Sequence, residues 1–287
     1  MLSYTKYMLI AIDGNEANVK NRVGSGVYAY ELLKQFAKTK SPRFVVYLKE
    51  NPLSDLPAET VNFKYEIFGP RKFWTQFALP IKLTFLSKPD VFFSPAHYGP
   101  RFSKVPYVVT IHDLSYLHYP QLFRREDLLQ LKNWSKYSIN NSAAIIAPSK
   151  STKEGIVKNY NIDPSKITVT YEGYNKEAFK PQSAARVSSV KKKHKIAGDY
   201  IIFVGTLQPR KNIERLIEAF KILNAKYKIQ NTNLVIAGKK GWMYDSILEK
   251  SKTLGIEDKV TFTGFVPDED LPALISGAKV YVNPSLW

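Results

Sequence analysis

Apolar residues of this 287-residue chain fall into short β-rich runs that alternate with helical patterns. In the first half of the chain, the runs predict strands at 9–13, 44–49, 90–94, 105–111, 143–147 and 167–171. Between the first two runs, Val27, Tyr30, Leu33 and Ala37 recur at spacings of three and four residues, which predicts a helix with one apolar face. Strands that alternate with helices are typical of parallel sheets with helical crossovers, so we expect an α/β fold.

A polar and basic stretch between 173 and 199, with Pro181 and three serines, interrupts this pattern. After it, further strands are predicted at 200–205, 233–238, 259–263 and 279–283, with a helix around 244–254. A chain of this length with 44% hydrophobic residues can bury two cores. We therefore expect two domains, 1–173 and 174–287.

The charge of the chain is strongly positive, with 42 Lys and Arg against 25 Asp and Glu and a net charge of +17. A field of this sign attracts phosphates, nucleic acids and anionic lipid surfaces alike. Two stretches concentrate the charge: 191–195 is a compact basic run, and 71–74 combines two cations with two aromatic residues ahead of an apolar stretch to Phe85. For each stretch, a solvated face and membrane docking remain open interpretations.

Several classes of function are disfavoured by what the sequence lacks. Without cysteine the chain has no disulfides, thiolate metal sites or cysteine nucleophiles, and its four histidines show no metal-ligand spacing. No RRM, KH or zinc signature supports nucleic-acid binding. Residues 1–20 lack the features of a signal peptide, and no apolar run reaches about 18 residues. We expect a cytoplasmic protein that uses no metal and binds no nucleic acid.

The segment 203–212, Phe-Val-Gly-Thr-Leu-Gln-Pro-Arg-Lys-Asn, combines a strand end, a tight turn at Gly205 and two cations, Arg210 and Lys211, at the predicted start of a helix. Helix N-termini present oriented N–H groups to anions, and arginine pairs with phosphate through two hydrogen bonds. Two cations at a helix start oppose the helix dipole, so their position requires a reason. The segment therefore predicts a diphosphate site.

Two other strand ends carry candidate chemistry. Gly24 and Gly26 precede the helix predicted from about Val27 and would let backbone N–H groups approach a phosphate, while a helix entry that packing alone requires remains an alternative. His112 and Asp113 follow the apolar run 107–111, at the edge where parallel sheets place their ligands. A histidine there can bind a sugar hydroxyl, and Asp113 can either orient it or cap the next segment.

Taken together, these segments resemble the GT-B family of retaining glycosyltransferases, family 4. The resemblance is carried, in the family's order, by 23–28, 109–114, 147–149 with Ser151 and Thr152, 203–212, 234–238, 260–266 and 278–285. It covers nearly the whole chain. It implies two Rossmann-like domains with parallel sheets facing a cleft, the N-terminal one on the acceptor side and the C-terminal one, here incomplete, binding the donor.

The resemblance also implies roles for individual residues. Arg210 and Lys211 would stabilise the leaving diphosphate, and His112 would line the sugar site, so these three form the expected catalytic set. Lys239 would lie near the phosphates or ribose. The donor-binding residues implied by the resemblance are Gly24, Ser25, Gly26, Asp113, Gly205, Gly238, Lys239, Gly264, Phe265 and Val266, the last two bordering the nucleotide base.

The implied reaction is transfer of a hexosyl group, mannosyl or glucosyl, from a nucleotide diphosphate sugar to a glycan or lipid-linked acceptor with retention. No cofactor is expected. Peripheral contact with an anionic membrane at its inner face is a further expectation. A non-catalytic nucleotide-binding remnant, a sugar-nucleotide epimerase and a phosphorylase-like enzyme on the same fold remain open alternatives.

Two further expectations concern the acidic residues 268–270 and the end of the chain. The acidic residues 268–270 are interpreted as the first turn of a short helix and not as a catalytic carboxylate pair. In the resembled family, the stretch similar to 281–285 leads into a glycine-rich loop and a helix with two glutamates. The chain ends at Trp287, before that segment, so we expect it to be truncated there.

Overall fold

The structure is a computed structural model that describes residues 8–227 and 231–287. It divides into two compact units, each described here by itself. The first unit contains the described residues up to Pro120 together with Arg125–Glu172, and the second contains Gln121–Arg124 together with Gly173–Trp287. The short segment Gln121–Arg124 contacts the rest of the second unit, since Trp242 donates a hydrogen bond from Nε1 to the Leu122 carbonyl oxygen at 2.8 Å.

The described part of the first unit is built on seven parallel strands. Their order in the sheet is β3-β2-β1-β4-β5-β6-β7, so the order reverses between β1 and β4. Sheets of this kind bind ligands at the carboxyl ends of the strands near such a reversal. The strands are β1 Leu9–Asp13, β2 Arg43–Leu48, β3 Phe63–Ile67, β4 Val91–Ser94, β5 Tyr107–Thr110, β6 Ala144–Ala147 and β7 Ile167–Val169.

Helices cover the sheet of the first unit. They are α1 Ser25–Phe36, α2 Leu79–Ile81, α3 Ser115–His118, α4 Arg125–Asn141 and α5 Lys150–Tyr160, with π-helical turns at Trp74–Ala78 and Lys82–Leu86 on either side of α2. The apolar face predicted for α1 is buried: Ala29 and Leu33 pack in one cluster with Phe44 and Val46 of β2. Burial of that face is what holds α1 on the sheet.

The second unit has the sheet order β10-β9-β8-β11 within its described residues, again with parallel pairing. Its strands are β8 Asp199–Val204, β9 Thr232–Ala237, β10 Val260–Gly264 and β11 Val280–Tyr281, and its helices are α6 Ala184–Lys193, α7 Ile213–Tyr227, α8 Asp245–Thr253 and α9 Leu271–Ser276. Ile213, Ile217 and Phe220 of α7 pack with Leu234 and Ile236 of β9. A buried stripe on α7 therefore faces the sheet.

The predicted α/β fold is confirmed, and each predicted strand forms within two residues of its expected bounds. Two of the elements that the sequence did not predict have a clear physical reason. Strand β3 lies at the sheet edge, and its half-exposed sequence Phe-Lys-Tyr-Glu-Ile is too polar to stand out. The stretch 173–199, interpreted as an irregular boundary, contains α6, which Ser183 caps and which buries only Val190, so its apolar pattern is faint.

A buried carboxylate connects α6 to α9. Asp270, at the N-cap position of α9, is 1% exposed and accepts hydrogen bonds from Arg186 at 3.0 Å and Lys193 at 2.6 Å, while His194 Nε2 lies 2.9 Å from it. Burial alone would raise the pKa of Asp270, but the Lys193 and His194 contacts outweigh it and lower that pKa. The interpretation of 268–270 as the first turn of a helix was wrong, because α9 begins at Leu271 and Asp270 precedes it as the centre of an ion-pair cluster.

Asp270→Asn is expected to lower the free energy of unfolding by about 2 kcal/mol, because it removes the charge that pairs with two cations whose side chains are about half exposed. The depressed pKa means that this contribution is present above the ordinary aspartate pKa and is lost as the pH falls through the lower folded value. Urea denaturation at pH 7 and pH 3 checks both points. Asp258→Asn, at an exposed site, is the matched control. Equal stability of the two variants at pH 7 would contradict the assignment.

Candidate active site

His112 occupies the carboxyl end of β5, the edge at which the sequence placed it. Its ring is mostly buried: Nε2 lies 2.9 Å from the Pro95 carbonyl oxygen, which follows β4, and Tyr28 of α1 packs edge-on at 4.9 Å between ring centroids. A carbonyl oxygen can only accept a hydrogen bond, so Nε2 donates in this contact. The ring is thus held by two elements besides its own strand, the residue after β4 and helix α1.

Glu172 completes this arrangement and was missed by the sequence analysis. It follows β7, and its Oε1 lies 3.4 Å from His112 Nδ1. The hydrogen bond from His112 lowers the pKa of Glu172 below the ordinary glutamate value. Its position after the last strand of the sheet was the available signal, because the carboxyl ends of parallel strands share one edge.

The segment 147–152, singled out by its resemblance, supports the same strand end. Ser149 caps α5 by accepting a hydrogen bond from the Thr152 N–H at 3.0 Å, and Thr152 Oγ1 donates to the His112 carbonyl oxygen at 3.2 Å. Asp113 accepts from the Ser115 N–H at 2.9 Å and the Ser115 hydroxyl at 2.7 Å, just where α3 begins. Asp113 thus satisfies the N–H of the first residue of α3, and its role in donor binding stays a prediction.

The glycine loop of the first unit reaches α1 in a strained approach. The helix begins at Ser25, two residues earlier than expected, and Gly24 before it has φ +52°. A Cβ on Gly26 would lie 2.9 Å from the Glu16 carbonyl oxygen, so close packing requires that glycine. Ser25 Oγ lies 3.3 Å from the Glu16 carboxylate. A carboxylate beside the loop favours a hydroxyl ligand over a second anion there.

Asp13 is a further titratable group at this edge, at the end of β1. Burial raises the pKa of Asp13 to about 6, although its carboxylate accepts hydrogen bonds from the Asn15 N–H at 3.0 Å and the Asn15 amide at 2.7 Å. The sequence marked it only as the last residue of a strand.

In the second unit, the glycines after three strands lie side by side. The Gly205 N–H donates to the Ala237 carbonyl oxygen at 2.8 Å, and the Gly238 N–H donates to the Gly264 carbonyl oxygen at 2.9 Å. The turn after β8 continues alongside the turn after β9, since the Leu207 N–H donates to the Lys239 carbonyl oxygen at 2.9 Å. A Cβ on Gly238 would lie 1.9 Å from the Gly205 carbonyl oxygen. Only glycine permits this approach.

Arg210 and Lys211 lie in a 3₁₀ turn, Pro209–Lys211, and α7 begins after it, at Ile213. The sequence predicted that both cations stand at the start of an α-helix; in the structure they lie in a short turn that precedes the helix. The reason is local: Pro209 opens the turn, and Asn212 adopts a left-handed conformation with φ +58°, which asparagine tolerates. The cations therefore precede the N-terminus of α7 without lying in its first turn, where they would oppose the helix dipole.

Gln208, between the turn and Gly205, is the second residue that the sequence analysis missed. Its side chain is 4% exposed, and its Oε1 has no hydrogen-bond partner among the described residues. A buried acceptor without a donor is costly unless a ligand supplies one. Gln208 is buried partly because Gly241 of the neighbouring turn packs against it. The sequence around Gln208 does not indicate this contact.

The remaining predicted donor-site residues surround this edge. Lys239 is half-buried in the turn after β9, and Gly264 is exposed at the end of β10. Val266 is buried in the core with Val235 and Leu274, so only its backbone is available to a ligand. Phe265 is half-buried. The ligand-binding roles of all these residues stay predictions.

Residues 8–227 and 231–287 contain neither a membrane-spanning helix nor a cluster of metal-ligating side chains. No helix in these ranges has both the length and the apolar character to cross a bilayer. No group of three or more His, Asp or Glu side chains in the same ranges is arranged to hold a metal ion. The expectation that the reaction needs neither metal nor cofactor stays a prediction.

Comparison with known proteins follows the division of the chain. Residues 23–178 match the model of Glycosyltransferase Family 4, and residues 187–287 match that of Glycosyl transferases group 1. The O-antigen chain mannosyltransferase B of Escherichia coli is 27% identical over 181 residues, which are 63% of this chain and 47% of the relative. The O-antigen chain mannosyltransferase RfbU of Salmonella typhimurium is 29% identical over 178 residues, 62% of this chain and 45% of the relative.

Among solved structures, Anabaena HepE in complex with UDP-glucose aligns with a TM-score of 0.69 at 15% identity, covering 97% of this chain and 74% of that one. This likeness shows the fold, the GT-B fold of glycosyltransferases with its two Rossmann-like parallel sheets. The family model that matches residues 23–178 covers more than half of the chain, so the chain belongs to glycosyltransferase family 4. It spans about half the length of the curated relatives named above.

His112→Phe is expected to raise the pKa of Glu172 toward the ordinary glutamate value, because phenylalanine keeps the ring but cannot donate the hydrogen bond that lowers this pKa. Carbon-detected NMR titration of glutamate carboxyls measures it. Glu59, whose pKa is lowered by the Tyr65 N–H and Lys64, serves as the internal control and should not shift. An unchanged Glu172 pKa would show that His112 does not hold that carboxylate.

Gly238→Ala is expected to destabilise the second unit by about 3 kcal/mol, because the new Cβ collides with the backbone of Gly205 and one of the two turns must move. Scanning calorimetry measures the loss. Gly173→Ala is the control, since a Cβ there has no heavy atom within 4 Å. Similar stability of the two variants would mean that the turns are not held in contact.

Proposed function

We propose that this chain is part of a hexosyltransferase that moves a mannosyl or glucosyl group from a nucleotide diphosphate sugar to a glycan or lipid-linked acceptor, with retention. The observation that carries the proposal is the turn 205–212 at the carboxyl edge of the second sheet, with Arg210 and Lys211 ahead of α7. Family membership and the mannosyltransferases among the relatives support the reaction class and the sugar.

The chemistry of the leaving group explains why such a turn is suited to the donor. When the bond between the anomeric carbon and the phosphate oxygen breaks, negative charge develops on the diphosphate. Arg210 can bind it through two hydrogen bonds, Lys211 adds a point charge, and the free N–H groups at the start of α7 add their dipole. Fixed donors of this kind stabilise a leaving group without reorganising as it departs.

The His112 edge of the first unit is suited to a different part of the substrates. Pro95 and Glu172 fix the orientation of the His112 ring, and a sugar hydroxyl that replaces the Glu172 carboxylate at Nδ1 can form a hydrogen bond with it. We assign it to positioning a hydroxyl of the transferred sugar or of the acceptor. Because Glu172 is held by His112, we do not assign it as a covalent nucleophile, which is consistent with a mechanism that relies on leaving-group stabilisation.

The proposal is tested by incubating the protein with UDP- and GDP-sugars and a mixed panel of glycan and lipid-linked acceptors. Release of nucleoside diphosphate and the anomeric proton coupling of the product, read by NMR, report transfer and stereochemistry. Transfer with retention is the expected result. Nucleotide binding without transfer would favour a binding remnant, and a change of the donor sugar without transfer would favour an epimerase.

Arg210→Ala is expected to weaken binding of the nucleoside diphosphate by about 1.5–3 kcal/mol, through loss of a charge-assisted contact. Calorimetric titration with UDP and with GDP measures it. Arg215→Ala, which removes the same charge from an exposed site on α7, is the matched control and should bind as the parent does. If both variants lose affinity equally, the effect is general electrostatics and Arg210 has no specific role.

A further inference from the structure

The segment that connects β3 to β4 has two faces of different character. Its inner face is buried, with Trp74, Leu79 and Leu83 all at most 3% exposed. Trp74 donates a hydrogen bond from Nε1 to the Phe68 carbonyl oxygen at 2.8 Å, and Lys82 forms an ion pair with Glu66 of β3. These contacts fix the segment against the edge of the first sheet.

The outer face of the same segment is apolar. Phe73, Phe77, Ile81 and Phe85, spaced four residues apart, are between 51% and 76% exposed and form what we call the aromatic ridge. Phe73 and Phe77 contact each other edge-on, with ring centroids 6.2 Å apart. A surface helix normally turns polar residues outward. Single exposed apolar residues are ordinary, but a continuous row of large ones marks an interaction surface.

The charged residues of the segment that carries the aromatic ridge are all cations. Residues 68–88 contain four cations, Arg71, Lys72, Lys82 and Lys88, and no Asp or Glu. Lys72 and Lys88 are exposed. Arg71 pairs with Glu50 at 3.2 Å, yet 75% of its side chain remains exposed. The partner of this surface must therefore accept large apolar side chains and carry negative charge.

An anionic bilayer has both properties. Aromatic and aliphatic side chains insert at the boundary between headgroups and acyl chains, and flanking Lys and Arg bind the headgroups. A second copy of the chain fits less well, because a symmetric contact would bring the same cations face to face. The segment lies along the surface of the first unit, so it can approach a membrane without leaving its packing on β3.

We propose that the aromatic ridge is a membrane-docking surface that inserts into an anionic lipid leaflet, with Arg71, Lys72 and Lys88 on the headgroups. This inference rests on the proposed function only in that a lipid-linked acceptor would bring the protein to a membrane. It gives the basic and aromatic stretch 71–74 a specific role in membrane binding.

Sedimentation of the full chain with vesicles of pure phosphatidylcholine, and with vesicles that contain 30% phosphatidylglycerol, tests the proposal. Binding should require the anionic lipid and weaken as salt rises. Phe77→Ser with Phe85→Ser should lower the affinity about a hundredfold, at about tenfold for each phenylalanine. Lys72→Gln with Lys88→Gln should lower it about twentyfold, at roughly fivefold for each charge.

Matched controls lie elsewhere on the first unit. Phe102→Ser removes a phenylalanine that is 81% exposed, and Lys132→Gln with Lys136→Gln removes two exposed lysines of α4; both should bind vesicles as the parent does. Equal losses in ridge and control variants, or equal binding to neutral and anionic vesicles, would overturn the proposal. A dimer in light scattering that only the ridge variants dissociate would overturn it in favour of a second copy.

A separate measurement keeps this inference apart from the proposed function. The ridge variants should bind UDP or GDP in calorimetry as the parent does, because the residues assigned to the diphosphate lie in the second unit. Loss of vesicle binding with unchanged nucleotide binding supports the ridge whatever the transfer assay shows. Parallel loss of vesicle binding and nucleotide binding would contradict a docking surface that acts independently of the nucleotide site.

Discussion

The close approach of two backbone turns in the second unit is the constraint on which its candidate site depends. The turn after β9 lies against the turn after β8 because Gly238 has no side chain, and the hydrogen bond from Leu207 to Lys239 continues that contact. This contact fixes the path of the chain from Gly205 to Pro209. The two cations that follow are consequently presented from a short, hydrogen-bonded turn, and a charge that is already positioned stabilises a leaving group effectively.

In the first unit, too, neighbouring strand ends hold a functional group in place, but here the group is a histidine ring. Groups that follow four strands of this unit meet at His112: a carbonyl oxygen after β4 and a carboxylate after β7 contact its ring, and a threonine of the helix after β6 contacts its backbone carbonyl oxygen. These groups come from separate stretches of the sequence. A parallel sheet brings them together because every strand points the same way. The result is a fixed hydrogen-bonding group beside a loop that favours hydroxyl ligands.

The sequence predicts the α/β fold well because both units rest on uninterrupted apolar strands and one strong helical stripe in each. Its failures have physical causes. Strand β3 and helix α6 bury few side chains, so pairing and a buried ion-pair cluster decide their structure and the apolar pattern does not. Glu172 and Gln208 gain their significance only from neighbours distant in sequence. The position of Arg210 and Lys211 could be predicted, but the left-handed Asn212 that separates them from the helix could not, because the backbone conformation depends on the whole turn.

The central claim is that the turn 205–212 and its neighbouring glycines bind a nucleoside diphosphate. It is tested most directly by following the backbone amide resonances of the isotope-labelled protein during titration with UDP and with GDP. The account predicts that the amides of Gly205, Arg210, Gly238 and Gly264 shift with one shared saturation curve, while that of Gly255, which precedes β10 at the opposite end of the strand, does not. Saturable binding that leaves the amides of the turn unchanged would contradict the account, because it would place the nucleotide elsewhere in the protein.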